Sequence, residues 1–232
     1  FDSPLHFACI LILIFNNFMY HLTEFAPHTH PWLHEIILGM LAASKLDKNA
    51  KILDVRCGSG NFLNELHKLS YKNLHWVDWF ADHDAITKVC TFHRQLLDVP
   101  LEYEDKMFDV LLNIDVIEHM EHPNRLLNEM HRALKDGGTL ILSTPNVLTL
   151  MSRLIFLFEG NLFQFRDADI PFNGWPGHIA PFFPKLFKEI YKEKFQIESI
   201  AYSDWIVPFF GWKVPFRSKL FWNSVILVLK KK

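Results

Sequence analysis

The sequence predicts an α/β fold in which a mostly parallel sheet is flanked by helices. From Lys51 onward, apolar segments of strand length alternate with segments of helical periodicity, which is typical of parallel strands joined by crossover helices. The stretch 51–69 also combines a buried strand, a glycine turn and a helix, the opening unit of a nucleotide-type binding fold. The length of 232 residues suits one large domain with additions.

The elements follow in order along the chain. Apolar periodicity predicts a helix over 31–44, at the end of an apolar arm formed by residues 1–47. A second helix is predicted over 123–135, with Pro123 in its first turn and Asp136-Gly137-Gly138 as its end. Candidate strands before and after it lie at 51–55, 73–78, 108–114 and 139–143.

The last third of the chain contains an irregular segment before the pattern resumes. Residues 146–182 are rich in Phe, Gly and Pro and are longer than an ordinary connection, so we expect them to cover a site. A helix over 184–191 and closing strands over 196–201 and 221–229 follow. Residues 230–232 are predicted to form a solvated tail.

Composition limits the classes of function. With 50% apolar and 22% charged residues the chain is globular, and a formal net charge of −2 gives no basic surface for nucleic acid. The three cysteines, Cys9, Cys57 and Cys90, lie far apart, which argues against a disulfide framework and a zinc site. A reducing compartment is therefore expected, and we predict a cytoplasmic location.

An uninterrupted apolar run occupies residues 7–15. It is shorter than the roughly 20 residues that span a bilayer. It also lacks the preceding cation and the following cleavage site of a signal peptide. We expect a buried helix or strand, while peripheral contact with a membrane interface and a lid over an apolar substrate stay open.

Six motifs occur in order between residues 53 and 146. They are Leu53-Asp-Val-Arg-Cys-Gly-Ser-Gly60, Trp76-Val-Asp78, Leu97-Asp-Val-Pro100 with Phe108-Asp-Val110, Asp115-Val-Ile-Glu-His119, Leu134-Lys-Asp-Gly-Gly138 and Ser143-Thr-Pro-Asn146. In this series the chain resembles the class I S-adenosylmethionine (SAM)-dependent methyltransferases, and within them the ubiquinone-type O-methyltransferases. The resemblance implies a Rossmann-like sheet of seven strands, the last antiparallel, over residues 48–232. It also implies SAM as cofactor and methyl transfer to an oxygen, less favourably a nitrogen or carbon, of a small-molecule acceptor.

The resemblance also assigns the cofactor-binding residues. Asp78 lies 24 residues after Asp54, close to the spacing of the ribose-binding acid in dinucleotide folds. Asp98 would accept from the adenine amino group, and alone it could equally be a turn acid before Pro100. The full predicted set, from the amino-acid end of the cofactor to its adenine and methionine sides, is Asp54, Arg56, Cys57, Gly58, Gly60, Asp78, Trp79, Leu97, Asp98, Asn113 and Ile114.

Two residues depart from the family pattern. Arg56 stands where the loop usually has its first glycine, and Trp76 where the second strand often has one. Glycine tolerates positive φ and leaves room for a ligand. Arg56 could pair with the cofactor carboxylate, or it could obstruct the pocket. A degenerate, non-catalytic binding or scaffold protein therefore stays an alternative. A dehydrogenase is disfavoured, because the complete Gly-x-Gly-x-x-Gly pattern is lacking.

Histidines supply the remaining candidate chemistry. Some relatives with an acid-x-x-Glu-His pattern hold a divalent cation, here implying Asp115, Glu118 and His119 with His178. A helix-start and packing role is favoured, and we assign no metal. His178 is the candidate general base, with substrate binding or loop structure as alternatives. Aromatic candidates for lining the acceptor pocket, or for core packing, are Trp175, Phe182 and Phe183.

Overall fold

The computed structural model describes residues 31–56, 60–79, 90–97, 99–162, 164–165, 177–203, 220 and 223–232. The strands are β1 (Lys51–Val55), β2 (Asn73–Asp78), β3 (Thr91–Arg94), β4 (Phe108–Ile114), β5 (Leu134–Pro145), β6 (Phe195–Tyr202) and β7 (Ser224–Lys231). The helices are α1 (Pro31–Ala43), α2 (Asn61–Lys68), α3 (Pro123–Ala133), α4 (Leu150–Glu159) and α5 (Pro184–Tyr191), and a 3₁₀ turn covers Ile117–His119.

The seven strands form one sheet in the order β3-β2-β1-β4-β5-β7-β6. The five strands from β3 to β5 pair in parallel. The last strand, β7, lies between β5 and β6 and is antiparallel to both. The predicted mostly parallel sheet with an antiparallel last strand is therefore confirmed.

Apolar side chains cover both faces of the sheet, as expected for parallel strands buried between helices. On one face, Leu33, Ile37 and Leu41 of α1 pack with α2 and with the outward side chains of β1 and β2. Their i, i+4, i+8 spacing gives α1 a single buried stripe. On the other face, α3 and α5 cover β4, β5 and β7. The described end of the N-terminal arm is thus a helix packed on the sheet, while the run 7–15 lies outside the described residues.

The glycine pair after α3 has a different role from the predicted one. The helix ends at Ala133, and Leu134 already pairs with Phe108. The register then shifts before Thr139 pairs with Val110. Gly137 has φ 69°, and a Cβ on Gly138 would lie 2.8 Å from the Lys135 carbonyl oxygen. The glycines therefore form an irregularity inside β5, and the prediction that the helix reaches residue 135 is wrong.

The C-terminal lysines also differ from the prediction. Lys231 belongs to β7, is 7% exposed and donates from Nζ to the Leu134 carbonyl oxygen at 2.8 Å. The prediction of a solvated tail is therefore wrong. Strand β7 continues to Lys231, and the Lys231 Nζ lies beside the Leu134 carbonyl oxygen and the Asp136 carboxylate. Sequence patterns also missed β3, a short edge strand, and α4, which has apolar residues on nearly every side. No helix in the described ranges is long and apolar enough to cross a membrane.

Candidate functional site

The candidate site lies where the parallel strands end at their carboxyl edge. After β1, Arg56 has φ 69°, and Gly60 has φ 72° at the start of α2. The Arg56 N–H donates to the Val77 carbonyl oxygen at 2.7 Å, which ties the loop to the end of β2. The left-handed region costs a residue with a side chain about 1–2 kcal/mol. Arg56 thus adopts a glycine-like backbone conformation. Cys57 and Gly58 lie outside the described residues.

Two buried acids lie at the ends of adjacent strands. Asp54 is 2% exposed and Asp78 is 3% exposed. Burial, and secondly the charge of Asp78, raises the pKa of Asp54 to about 8. Asp54 therefore holds a proton near neutral pH. A positively charged group bound beside it would favour the carboxylate, so this pair suits a ligand that carries a cation and hydroxyl donors.

The Arg56 side chain is half-buried with a buried Nη1, and the charges of Asp78 and Glu118 act on it. Burial lowers the pKa of Arg56 to about 10, while the charges of Asp78 and Glu118 act in the opposite direction. The guanidinium therefore stays charged at neutral pH. The Arg56 guanidinium therefore interacts electrostatically with Asp78 at the end of β2 and with Glu118 in the turn after β4.

A buried amide lies at the end of β4. Asn113 is 0% exposed, and neither its Oδ1 nor its Nδ2 has a hydrogen-bond partner among the described residues. Leaving such a group unsatisfied costs about 1–3 kcal/mol. The Glu118 Oε1 is in the same situation, while its Oε2 accepts from Thr144 Oγ1 at 3.1 Å. These atoms fit a polar ligand that would satisfy them.

The segment after residue 176 closes onto the 3₁₀ turn. The N–H groups of Ile179 and Ala180 donate to the Glu118 carbonyl oxygen at 2.8 and 2.9 Å. This contact brings the ring of His178 to 4.7 Å from that of His119. The His178 Nδ1 lies 2.6 Å from the Gln164 carbonyl oxygen. The fold therefore joins two histidines that are far apart in sequence.

Three of the four residues of the metal hypothesis meet here. Ligand atoms of Glu118, His119 and His178 all lie within 4.8 Å of one another. Asp115 is outside this group, and its Oδ1 accepts from Ser143 Oγ at 2.7 Å. Burial, and then the charge of Asp115, raises the pKa of Glu118 well above its ordinary value. The raised pKa disfavours the carboxylate form of Glu118, which is the form that binds a divalent cation.

The predicted adenine side is described in part. Leu97 is 7% exposed and packs in the core layer facing α3 and α5, whereas Asp98 lies outside the described residues. Gln95, which the sequence patterns did not indicate, is 7% exposed, and its N–H donates to the Asp78 carbonyl oxygen at 3.0 Å. Its side chain accepts from the Glu102 N–H at 2.9 Å. The one sequence signal for Gln95 is that this polar residue directly follows the end of β3.

Other predicted residues pack in or beside the core. Ile114 is 8% exposed, and Trp76 is fully buried with its ring 4.4 Å from Phe92. Both lie in the layer facing α1 and α2. The half-buried Trp79 accepts at its carbonyl oxygen from Arg94 Nε at 3.2 Å.

The aromatic residues proposed for the acceptor pocket separate. Phe182 packs against the core, with its ring 5.1 Å from Phe187. Phe183 is 38% exposed, and Trp175 lies outside the described residues. Core packing therefore accounts for Phe182.

Comparison with known proteins decides the family. The sequence profile of a methyltransferase domain matches residues 30–190, more than half of the chain. The chain belongs to this methyltransferase-domain family. The predicted class I fold and SAM, the methyl donor of the family, are thereby confirmed. The roles of individual residues in the methyltransferase domain stay predictions.

Curated relatives are more distant. The chain is 31% identical over 113 residues to a mitochondrial ubiquinone biosynthesis O-methyltransferase of Candida albicans, covering 43% of this chain and 34% of that protein. It is 25% identical over 143 residues to a ubiquinone biosynthesis O-methyltransferase of Pelagibacter ubique, covering 58% of this chain and 57% of the relative. The matches thus span a third to just over half of these relatives' length.

Solved structures share the fold. The MccD protein superposes with a TM-score of 0.63 at 15% identity, covering 89% of this chain and all of that chain. A SAM-dependent methyltransferase of Methanosarcina mazei gives a TM-score of 0.58 at 18% identity, covering 82% of this chain and 96% of the other. At these identities the likeness supports the fold alone.

Proposed function

We propose that this protein transfers the methyl group of SAM to an oxygen atom of a small acceptor of apolar character. The observation that carries the proposal is the buried pair Asp54 and Asp78 at the ends of adjacent strands in a methyltransferase domain. The names of the curated relatives support oxygen as the acceptor atom, although each match covers only part of the chain.

The residues present fit SAM. Asp78 would accept hydrogen bonds from the ribose hydroxyls, and Asp54 would lie near the amino group as a carboxylate. Arg56 would pair with the ligand's carboxylate, and the buried amide of Asn113 would gain the partner that it lacks among the described residues. When bound, SAM supplies an electrophilic methyl group on a sulfonium. The protein's main task is then alignment and exclusion of water.

The acceptor hydroxyl must lose its proton as the new carbon–oxygen bond forms, and His178 is the candidate base. Its Nδ1 lies 2.6 Å from a carbonyl oxygen, which can only accept, so in the neutral ring Nδ1 carries the hydrogen. The Nε2 atom is then the one that can take a proton. The neighbouring ring of His119 would help to orient His178.

The remaining features of the proposal follow from the sequence. Residues 1–47 would form an arm over the methyltransferase domain at 48–232, and 146–182 would cover the acceptor. The spacing of the cysteines supports a reducing, cytoplasmic location. The near-neutral net charge supports a small-molecule acceptor over nucleic acid.

Thermal unfolding of the purified protein with SAM, S-adenosylhomocysteine or NAD tests the proposal. We expect SAM and S-adenosylhomocysteine to raise the melting temperature and NAD to leave it unchanged. The Asp78→Asn variant is the matched control and should lose the SAM response. No response to any of the three ligands would favour a non-catalytic binding protein. A response to NAD alone would favour a dehydrogenase.

A further inference from the structure

The imidazole ring of His178 is contacted from two separate parts of the fold. The ring of His119, in the 3₁₀ turn after β4, lies edge-on at 4.7 Å. The ring of Phe165 lies edge-on at 5.4 Å, and the carbonyl oxygen of the preceding residue, Gln164, lies 2.6 Å from the His178 Nδ1. Two ring contacts and one hydrogen bond therefore hold the imidazole of a half-buried histidine in one orientation.

The backbone at Gln164 has an uncommon conformation. Its φ of 70° lies in the left-handed region, which is unfavourable for a residue with a Cβ. The Phe165 N–H donates to the Leu162 carbonyl oxygen at 3.0 Å, so Gln164 is the third residue of a four-residue turn. A turn with positive φ at that place usually has Gly or Asn there. Strained residues of this kind are concentrated at functional sites, and here the strained residue is the one whose carbonyl oxygen contacts His178.

We propose that Gln164 is a positioning residue, whose strained backbone holds its carbonyl oxygen against His178 and thereby fixes the tautomer of that histidine. A carbonyl oxygen accepts hydrogen bonds and cannot donate them, so the contact requires a hydrogen on Nδ1. The neutral ring then has no hydrogen on Nε2, which is the state that a general base needs. In a fully solvated loop, water would satisfy either nitrogen and leave the tautomer unfixed.

The same hydrogen bond would also favour proton transfer. As the oxygen–methyl bond forms and the sulfur–methyl bond breaks, the acceptor's hydroxyl proton passes to Nε2 of His178, and the positive charge passes from sulfur to the ring. The charged ring still donates from Nδ1 to the Gln164 carbonyl oxygen, and a charged donor makes the stronger bond. The carbonyl thus stabilises the charged ring more than the neutral one. This consequence rests on the proposed function, whereas the tautomer does not.

Two substitutions separate the backbone of Gln164 from its side chain. The acting atom is a backbone oxygen, so Gln164→Gly should preserve the contact because glycine adopts positive φ readily. Gln164→Pro should break it, because the proline ring fixes φ at about −65° and redirects the turn. The matched control is Lys45→Pro, which puts the same constraint on an exposed residue with φ 53° at the end of α1.

Nitrogen-15 NMR of the ligand-free protein, labelled at the histidine ring nitrogens, tests the inference at about pH 8, above the ordinary pKa of histidine. The signals of His178 are those that the His178→Ala variant lacks. We expect the Nδ1–H form of His178 to exceed the Nε2–H form by about tenfold, the usual effect of one hydrogen bond. Gln164→Pro should shift this ratio toward the mixture shown by the free amino acid, whereas Gln164→Gly and Lys45→Pro should keep the wild-type ratio.

Each result supports or overturns the inference. An Nε2–H form that dominates in the wild type overturns it without reference to any variant, so a Gln164→Pro protein that fails to fold leaves the test intact. A folded Gln164→Pro protein with the wild-type ratio also overturns it, as does a Lys45→Pro protein that shifts the ratio equally, since the effect then comes from general destabilisation. Calorimetry measures SAM binding separately, so absence of SAM binding refutes the proposed function and leaves the tautomer result standing.

Discussion

Replacing Asp54 by Asn separates two effects of this buried acid. One is the loss of folding stability that its burial causes, and the other is its contribution to SAM binding. In the ligand-free protein the pKa of Asp54 lies at about 8, against 3.8 for an ordinary aspartate, because of its burial and then the charge of Asp78. Below about pH 4 the carboxyl is neutral in both states. Between about pH 4 and pH 8 the unfolded chain gives up the proton while the folded protein keeps it, so stability falls as the pH rises.

The size of the effect follows from that difference. Each step of one in pKa corresponds to about 1.4 kcal/mol, which sets an upper limit of about 5–6 kcal/mol at alkaline pH. Water entry and local rearrangement around the carboxylate reduce this limit, and we expect Asp54→Asn to stabilise the ligand-free protein by about 1–3 kcal/mol above pH 8. For a domain of this size that corresponds to roughly 2–10 °C in melting temperature.

The assay is thermal unfolding of wild type and Asp54→Asn from about pH 5 to about pH 9, without ligand and with SAM. The melting temperature of the variant relative to that of the wild type should increase as the pH rises. It should also bind SAM roughly tenfold or more weakly, because the amide cannot become a carboxylate beside the ligand's cation. Wild-type affinity for SAM should rise with pH up to about pH 8. Parallel unfolding curves for the two proteins would refute the reasoning about burial, and unchanged SAM affinity would refute the binding role.

Three further substitutions and one titration test the site. Asp78→Asn should weaken SAM binding about 10–100-fold, because a charged acceptor for two hydroxyls is lost. Calorimetry measures this affinity, and an unchanged value would show that Asp78 does not bind the cofactor. Arg56→Gly should relieve about 1 kcal/mol of backbone strain yet weaken SAM binding, and a glycine variant that alone binds SAM would show that Arg56 obstructs the pocket. His178→Ala should lower turnover more than tenfold with little change in the affinity for SAM, and a smaller loss would exclude it as the base. Added Mg²⁺ or Mn²⁺ should leave the melting temperature unchanged, because the raised pKa of Glu118 disfavours the carboxylate that would bind a cation. A rise that Glu118→Gln abolishes would instead establish a metal site.

Much of the sheet could be predicted because its signals are local. The strands β1, β2 and β4 have the predicted bounds, since each is a short apolar run that ends at a polar turn. The structure departs from prediction where long-range pairing overrides a local pattern. Gly137 and Gly138 match a helix stop, but pairing of Leu134 with Phe108 draws them into β5. The sequence alone predicts that Lys231 is solvated, whereas in the structure its Nζ donates to the Leu134 carbonyl oxygen.

The same division holds in the candidate site. The order of the motifs sufficed to identify the family, and it placed Asp54 and Asp78 at strand ends. It could not tell where the Arg56 side chain would point, because that depends on the positions of Asp78 and Glu118 after folding. It also could not show that His178 meets His119, a contact made by two backbone hydrogen bonds to Glu118.

By itself, then, the sequence determined the fold class, the family and the acids at the strand ends, because apolar periodicity and motif order are local properties of the sequence. Only the tertiary structure decided which charges share one buried space and which apolar residues stay uncovered. The raised pKa of Asp54 comes from its burial in the folded protein and, secondly, from the charge of Asp78 on the next strand. The exposed face of α4 is visible only once the rest of the protein has covered Ser152 and Ile155. Burial and electrostatic coupling are properties of neighbours in space, and no segment of sequence carries them alone.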